Sequence, residues 1–188
     1  MTEPLADDEH PRPRRPLLLD ACVVLSLYAT GWFEEILAAA APGAVVAETV
    51  AREALYVHAT VEGERAIVGI DLSPAVASGL LSIVDFADEA EAAAFVDLAL
   101  DLDDGEAASA AIAIHRGWRL ATDDRKAIRL VSGRTEIVGT LDLLRDWSNR
   151  RNIDDGTVRV VFERIRHRRY APAPNHPHRA WWDRILGS

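Results

Sequence analysis

The sequence LLLDACVVLSL occupies residues 17–27 and contains a short apolar run that stops at an acid. Three leucines precede Asp20, and a helical pattern of apolar residues then continues to Leu37, with an interruption at Gly31. An apolar run of this length followed by a helical pattern is typical of a buried strand that leads into a helix. The sequence therefore predicts a strand that ends at Asp20 and a helix that Gly31 divides in two.

The same alternation of strand and helix continues to residue 150. Further strands are predicted in AVVA (44–47), WRLAT (118–122), TEIVG (135–139) and the two runs RAIVGIDL (65–72) and LLSIVDF (80–86), one of which is a candidate edge insertion. Helices are predicted at residues 48–57, 88–100, 105–116, 124–133 and 140–150, with Gly117 as a C-terminal stop. Strands and helices in this alternation form a parallel sheet covered on both faces, so the predicted fold class is α/β.

Length and composition indicate one compact domain with additions at both ends. The chain has 188 residues, of which 49% are hydrophobic, and this is enough for one core without disulfide or metal staples. Residues 1–16 are expected to form a flexible leader, residues 17–150 the main domain, and residues 151–188 an arginine-rich C-terminal extension.

The single cysteine and the lengths of the apolar runs indicate where in the cell the protein is expected. The single cysteine, Cys22, excludes an internal disulfide and favours the reducing cytoplasm. No run approaches the ~18 to 20 apolar residues of a membrane span, and the N-terminus lacks the pattern of a secretory signal. We therefore expect a cytoplasmic protein with no membrane segment.

Acidic residues stand at or near the ends of several predicted strands. Asp20 closes the first strand, Glu53 lies in the helix after the second, Glu106 opens the helix after LDDG, and Asp123-Asp124 follow the RLAT strand. A parallel sheet brings the carboxyl ends of its strands to one edge, so these side chains are expected to share a cleft. Carboxylates that lie close together repel one another, and Mg²⁺ or Mn²⁺, which prefer oxygen ligands, would offset that repulsion.

Five segments in this order resemble the motifs of PIN-domain proteins. They are LLLDACVVLSL, the helix that carries Glu53, LDDGEAASAAIAIHRG, RLATDDRKAIRL and IVGTLDLL, and the resemblance covers roughly residues 17–147. The resemblance implies a three-layer α/β/α fold around a central, mainly parallel sheet. It also implies a metal-dependent endoribonuclease that uses Mg²⁺ or Mn²⁺ to hydrolyse RNA phosphodiester bonds.

The resemblance also implies partners. Family members similar to the VapC proteins are commonly toxins of type II toxin–antitoxin pairs and are commonly dimeric, so a homodimer and a cognate antitoxin on a separate chain are expected. The chain departs from these toxins in its leader, in a β-rich insertion around residues 60–86 and in its C-terminal tail.

Four acids match the acidic positions of the family. Asp20 matches the first, Glu106 the third and Asp124 the last. For the second, Glu53 fits best because AREAL has an acid before an apolar pair, and Glu48 is the rival. The resemblance implies that these acids are catalytic, and that Asp20, Glu106 and Asp124 hold the metal.

The resemblance also implies supporting roles for residues next to Asp124. Thr122 matches the hydroxyl that steadies the metal-bound water, and Asp123 is a further candidate ligand. Arg125 and Lys126 are the cations nearest to the proposed metal in sequence; they either hold phosphate or simply lie on a helix surface.

Each acid also has a purely local role open to it. Asp20 and Asp124 stand where helix N-caps are expected, and Asp is a leading capping residue. Glu106 could favour the dipole of its helix, and Glu53 could face solvent. The remaining acids of residues 101–104 are expected in a solvated turn.

Charge is distributed unevenly along the chain. The net charge of −9 argues against a protein that coats nucleic acid through a globally basic surface. Residues 145–169 nevertheless contain eight arginines against four acids, which makes this segment the best candidate for contact with an RNA backbone. The alternative is a helix with ion pairs between residues i and i+4. Trp147, Trp181 and Trp182 either stack on bases or cover the core or a dimer contact.

Three other interpretations were weighed against the nuclease. A phosphoryl-transfer enzyme of the haloacid dehalogenase type needs a second Asp two residues after Asp20, where Cys22 stands instead. A zinc site at His167, His176 and His178 is disfavoured because no cysteine accompanies them, and a tail is expected there. A catalytically silent PIN-like module that binds nucleic acid or protein stays open.

Overall fold

The computed structural model describes residues 15–53, 56–61 and 64–187 of the chain. Residues 1–14 of the predicted leader therefore lie outside the described residues, as do residues 54–55 of the predicted helix at 48–57. In chain order the elements are β1 (Leu17–Leu19), α1 (Ala21–Thr30), α2 (Phe33–Ala40), β2 (Ala44–Ala47), α3 (Glu48–Arg52), β3 (Tyr56–Val61), β4 (Glu64–Gly69), α4 (Ser73–Ala77), β5 (Leu81–Val84), α5 (Glu89–Leu98), α6 (Asp104–Arg116), β6 (Arg119–Ala121), α7 (Arg125–Val131), β7 (Ile137–Val138), α8 (Thr140–Arg151), α9 (Asp155–His167) and α10 (Arg179–Leu186).

Five parallel strands of the described residues form the central sheet, in the order β5-β2-β1-β6-β7. β1 lies in the middle, with Leu17 opposite Ala44 of β2 on one side and opposite Arg119 of β6 on the other. The three leucines of β1 are fully buried, as expected for a strand covered by helices on both faces. The predicted α/β class is confirmed, with the three α/β/α layers of a PIN-like fold.

The helices form two packed groups. α1 packs with α2, α8 and α9, whereas α6 packs with α3, α5 and α7. Among the residues that the structure describes, no single helix is long and apolar enough to cross a membrane; only α1 and α2 taken together pass that test, and they are bent by 116°.

The order of the strands creates a crevice at β1. From β1 the chain moves to β2 and β5 on one side, and β6 and β7 then lie on the other side. In parallel sheets ligands bind where the order reverses in this way, beyond the carboxyl ends of the strands. Here those ends carry Asp20 after β1 and Thr122 after β6.

The helix predicted at residues 48–57 ends earlier than expected. α3 stops at Arg52, and Glu53 already has extended backbone with ψ of 139°. The chain then enters β3, which pairs antiparallel with β4 in a separate two-stranded sheet. The run Tyr-Val-His-Ala-Thr-Val is rich in β-branched and aromatic residues, which favour strands over helices. The predicted strand in RAIVGIDL therefore belongs to a hairpin outside the main sheet.

Sequence reasoning missed α4. The sequence predicts strands at residues 65–72 and 80–86 and no helix between them, yet α4 begins at Ser73 with Pro74 in its first turn. Proline is well placed there because a helix leaves its first N–H groups without partners in any case. The predicted strand in LLSIVDF is β5, which forms one edge of the main sheet.

The C-terminal extension packs onto the main domain. α9 lies against α1, and α10 lies against α9. Phe162 of α9 is fully buried, and its ring centroid lies 4.7 Å from that of Trp181 and 4.6 Å from that of Trp182. Trp147 is also fully buried, and its Nε1 donates to Glu35 Oε1 at 3.1 Å. The alternative in which these tryptophans cover the core is confirmed.

Arg164 ties α9 to the junction of α1 and α2. Its guanidinium donates to the carbonyl oxygen of Thr30 and lies over the ring of Trp32, 5.0 Å from the centroid. Gly31, between these two residues, has φ of 80°, and a Cβ at this position would overlap Arg164 Nη1. Glycine is thus required at position 31 both for the left-handed backbone and for the close approach of the arginine.

Candidate functional site

Asp20 is buried at the carboxyl end of β1 and is bonded through both oxygens. Its Oδ1 accepts from the backbone N–H of Cys22 at 2.7 Å, and its Oδ2 accepts from Thr122 Oγ1 at 2.5 Å. Only 1% of the residue is exposed. Burial raises the pKa of Asp20 in spite of these hydrogen bonds, and the charge of Asp124 adds to the effect. Asp20 thus caps α1, as its local role predicts, and also faces the end of β6.

Thr122 joins the ends of the two central strands. Its hydroxyl donates to Asp20 and accepts from the backbone N–H of Asp124 at 3.1 Å. Asp124 is half-buried at the N-cap of α7, where its Oδ1 accepts from the N–H groups of Lys126 and Ala127, both at 2.7 Å. Among the described residues no hydrogen-bond donor reaches its Oδ2.

Asp123 points to a different partner. Its Oδ1 accepts from the backbone N–H of Thr140 at 3.1 Å, and its Oδ2 accepts from the hydroxyl of the same residue. Burial raises the pKa of Asp123 to about 6, although these bonds act in the opposite direction. Both carboxylate oxygens of this candidate ligand are therefore engaged at the start of α8.

Glu106 lies half-buried in the first turn of α6. Burial is the largest cause that raises its pKa, to about 7, and the negative charges of Asp20 and Asp124 are the next largest. A glutamate in this state is partly protonated at neutral pH. Because the charges of Asp20 and Asp124 raise the pKa of Glu106, the three acids lie close enough to interact electrostatically although they are far apart in sequence.

Glu53 approaches the same region from the end of α3. Burial raises its pKa, followed by the charges of Asp20, Asp103 and Asp104, while the N–H of Gly105 donates to it. A Cβ at position 105 would lie 2.5 Å from Glu53 Oε1, so this approach requires glycine.

The rival Glu48 has a different neighbour. Its Oε1 lies 2.6 Å from Arg52 Nη2, one helical turn along α3. Glu48 is therefore paired within α3, whereas the charge of Asp20 raises the pKa of Glu53.

We call Asp20, Glu53, Glu106 and Asp124 the acidic cluster. The neighbouring charges that act most strongly on its first three members are all carboxylates. All its donors are oxygens, which is the set that Mg²⁺ and Mn²⁺ prefer. Across residues 15–53, 56–61 and 64–187, however, no three His, Cys, Asp or Glu side chains are grouped so as to hold a metal ion. The donor chemistry fits a divalent cation, and its binding would require the carboxylates to turn toward one point.

The cations nearest to the cluster in sequence differ in their surroundings. Lys126 Nζ lies 3.2 Å from Asp101 Oδ1, so this charge is paired with the loop before α6. Arg125 is exposed at the first position of α7. Of the two, Arg125 is the one available to a ligand at this edge of the sheet.

The arginine-rich segment is partly used inside the protein. Arg145 lies over the Trp181 ring, with its Cζ 4.7 Å from the centroid, and Arg164 holds the α1–α2 junction. Arg150 Nη2 lies 3.5 Å from Asp146 Oδ2, an ion pair between residues i and i+4. The Arg150 pair is of the kind that the alternative to RNA contact predicts, whereas Arg145 and Arg164 pack against tryptophan rings.

Sequence reasoning missed several residues around the acids. Cys22 lies with its Sγ 3.4 Å from Asp20 Oδ2, and burial raises the pKa of this thiol, which keeps it neutral. Thr140 fixes Asp123, and Gly105 admits Glu53. Of these, Gly105 carries a signal in the sequence, as the glycine directly before Glu106 in LDDGEAASAAIAIHRG.

Comparisons of this chain with protein-family models, with curated proteins and with solved structures find no match.

Proposed function

We propose that the protein is a PIN-like ribonuclease that depends on Mg²⁺ or Mn²⁺. The observation that carries the proposal is that carboxylates meet at the reversal point of the sheet: the charges of Asp20 and Asp124 raise the pKa of Glu106, and the charge of Asp124 raises that of Asp20. Carboxylates with raised pKa values in a cleft mark functional sites because a fold gains no stability from such repulsion.

Each side chain has a role in this proposal. Asp20, Glu106 and Asp124 hold the cation, and Glu53 binds it directly or through water. The cation supplies positive charge to the phosphodiester and to the carboxylates. Thr122 and the N–H of Cys22 orient Asp20, and Glu106, whose pKa is raised to about 7, would hold the cation as a carboxylate.

The proposal extends to the biological setting. In this proposal the protein is the toxin of a type II toxin–antitoxin pair, acts on RNA in the cytoplasm as a homodimer and leaves a 5′-phosphate. Its inhibitor would be a cognate antitoxin on another chain. What supports this setting is the order and spacing of the motifs over residues 17–147.

RNA cleavage with and without Mn²⁺ tests the nuclease. We expect Asp20→Asn and Asp124→Asn each to lower cleavage by at least ~100-fold, because each removes a charged ligand. Asp154→Asn is the matched control, since Asp154 also caps a helix through its side chain but belongs to α9. Cleavage that survives EDTA, or that falls no further in Asp20→Asn and Asp124→Asn than in the control, would refute the proposal.

A second function is favoured by a specific observation. Both oxygens of Asp20 already have partners within the chain, and no three acids of the described residues are grouped around one point. A catalytically silent PIN-like protein that binds nucleic acid or a protein partner would have such an arrangement. RNA binding by the purified protein, combined with an Asp20→Asn variant that changes neither Mn²⁺ affinity nor cleavage, would establish this alternative.

A further inference from the structure

The C-terminal extension reaches the sheet edge that carries the acids. The segment between α9 and α10 passes the start of α8, where His178 Nε2 lies 3.2 Å from Asp142 Oδ1. Asp142 in turn accepts the backbone N–H of Gly139 through Oδ2 at 2.8 Å. His176 Nε2 would lie 3.6 Å from a Cβ at Gly139. Residues of the extension therefore enclose the first turn of α8.

The first turn of α8 holds Asp123. Thr140 donates to both oxygens of this carboxylate. The backbone N–H of Asp123 lies 3.5 Å from Cys22 Sγ, which also contacts Asp20 Oδ2 at 3.4 Å. Asp124, the N-cap of α7, directly follows Asp123 in the chain. The position of Asp123 therefore determines the position of Asp124.

Tyr170 makes a second connection between the extension and α8. Its ring lies 5.7 Å from that of Trp182, measured between centroids, and its N–H donates to the carbonyl oxygen of Ile165 at 3.2 Å. The backbone N–H of Leu141 faces the Tyr170 hydroxyl. Burial raises the pKa of Tyr170, and the charges of Asp123 and Asp142 add to this, so the hydroxyl stays neutral beside both carboxylates.

We propose that the C-terminal extension positions the acidic cluster, with His178 and Tyr170 holding the start of α8 and α8 holding Asp123 beside Asp124. Both are positioning residues, since neither belongs to the cluster. The catalytic consequence rests on the proposed nuclease function, whereas the chain of contacts does not. This gives residues 151–188 a role at the acidic site in addition to covering the core.

The test uses substitutions in the full chain. His178→Ala removes the bond to Asp142, His178→Gln retains a side-chain N–H donor, and Tyr170→Phe removes only the hydroxyl. Two matched controls lie elsewhere: Arg184→Ala breaks an ion pair with Asp155 within the extension, and Tyr28→Phe removes a hydroxyl near Asp71. The measurements are hydrogen exchange at residues 139–141, Mn²⁺ affinity, and kcat and KM for RNA cleavage.

We expect His178→Ala and Tyr170→Phe to speed exchange of the Thr140 and Leu141 amides by ~10-fold, because local opening of the first turn becomes easier. Mn²⁺ affinity should fall ~10-fold, the usual effect of losing an outer-shell partner of a metal ligand. We expect kcat to fall with KM nearly unchanged. His178→Gln should restore all three quantities, and the two controls should change none of them.

Two results would overturn the proposal. One is exchange at residues 139–141 that stays at the parent rate in both variants; the other is faster exchange with Mn²⁺ affinity equal to that of Arg184→Ala. If the parent neither binds Mn²⁺ nor cleaves RNA, the proposed nuclease fails, and the exchange rates alone decide whether the extension holds Asp123.

Discussion

The starts of α6 and α9 carry the same local sequence, Asp-Asp-Gly, at residues 103–105 and 154–156. At α9, Asp154 accepts from the N–H of Thr157 at 3.0 Å and from its hydroxyl at 2.7 Å, and these bonds lower the pKa of Asp154. Asp155 pairs with Arg184 at 2.6 Å. All of these acids are exposed, so this motif caps a helix and satisfies its own charges.

At α6 the same motif lies among other acids. Asp103 makes no side-chain capping bond, Gly105 is buried against Glu53, and the next residue, Glu106, has its pKa raised to about 7. The comparison teaches that the local sequence sets a helix start in both places, whereas the neighbours in space decide whether it is only a cap. At α6 the charges that act on Glu53 and Glu106 are carboxylates, whereas at α9 Asp155 is paired with an arginine.

The largest expected difference between the two motifs is the effect of adding a methyl group at the glycine. Gly105→Ala would place a Cβ 2.5 Å from Glu53 Oε1 and displace that carboxylate. If Glu53 helps to hold the cation, we expect Mn²⁺ affinity to fall ~10-fold, as measured by calorimetric titration. Thermal stability should change little, because alanine favours a helix more than glycine does.

Gly156→Ala is the matched control. Its Cβ would meet only Asp154 Oδ1, at 2.9 Å. Mn²⁺ affinity should equal that of the parent in this variant. Equal affinities for Gly105→Ala and the parent would remove Glu53 from the site and restore Glu48 as a candidate.

The next effect concerns the caps themselves. Asp154→Ala should lower the melting temperature of the protein by about 2–4 °C, since it removes two hydrogen bonds at a helix start. Asp103→Ala should leave the melting temperature unchanged or raise it, because Asp103 makes no capping bond and repels Glu53 and Glu106. Melting curves in EDTA measure both variants. If Asp103→Ala lowered the melting temperature as much as Asp154→Ala does, Asp103 would stabilise its helix start as Asp154 does.

The last expected effect, no larger than that of the cap, is on the pH dependence of stability. The folded pKa of Glu106, about 7, lies above its ordinary value of 4.5, so between these values the folded state binds more protons than the unfolded state. The free energy of unfolding should therefore fall as the pH rises from about 5 to 8. Asp123, with a pKa of about 6, acts in the same direction.

Melting curves in EDTA at pH 5 and pH 8 check this sign. We expect Glu106→Gln to reduce the drop by about 2–4 °C, a modest share because the carboxyl is partly screened by solvent. Mn²⁺ should raise the melting temperature at pH 8 more than at pH 5, since protons compete for the carboxylates. If the melting temperature fell equally between pH 5 and pH 8 in Glu106→Gln and in the parent, Glu106 would not be the group that titrates.

Much of the fold could be predicted because local patterns determined it. The apolar run at β1, the glycine stop at Gly117 and the alternation of strands with helices each depend on neighbours in sequence. The limits of α3 and the existence of α4 were not predicted, because a β-branched run outweighed one helical pattern and Ser73-Pro74 is compatible with both a turn and a helix start.

The site was predictable in its residues but not in their orientations. That acids would meet near Asp20 follows from parallel topology alone. Asp123 bonds to Thr140, which lies 17 positions later in the sequence. Lys126 pairs with Asp101, which lies 25 positions earlier. No pattern in the strands signals such contacts, which arise only when whole elements pack together.

The central place of β1 has a consequence for the order in which the protein is completed during synthesis. Leu17 pairs with Arg119, and Asp20 finds its hydroxyl partner at position 122. α1, the next element, is covered by α9, which the ribosome makes only after residue 154. Contacts between such distant positions form slowly and late. A nascent chain that stops before residue 122 has no crevice, and therefore no acidic site, to present to the RNA around it.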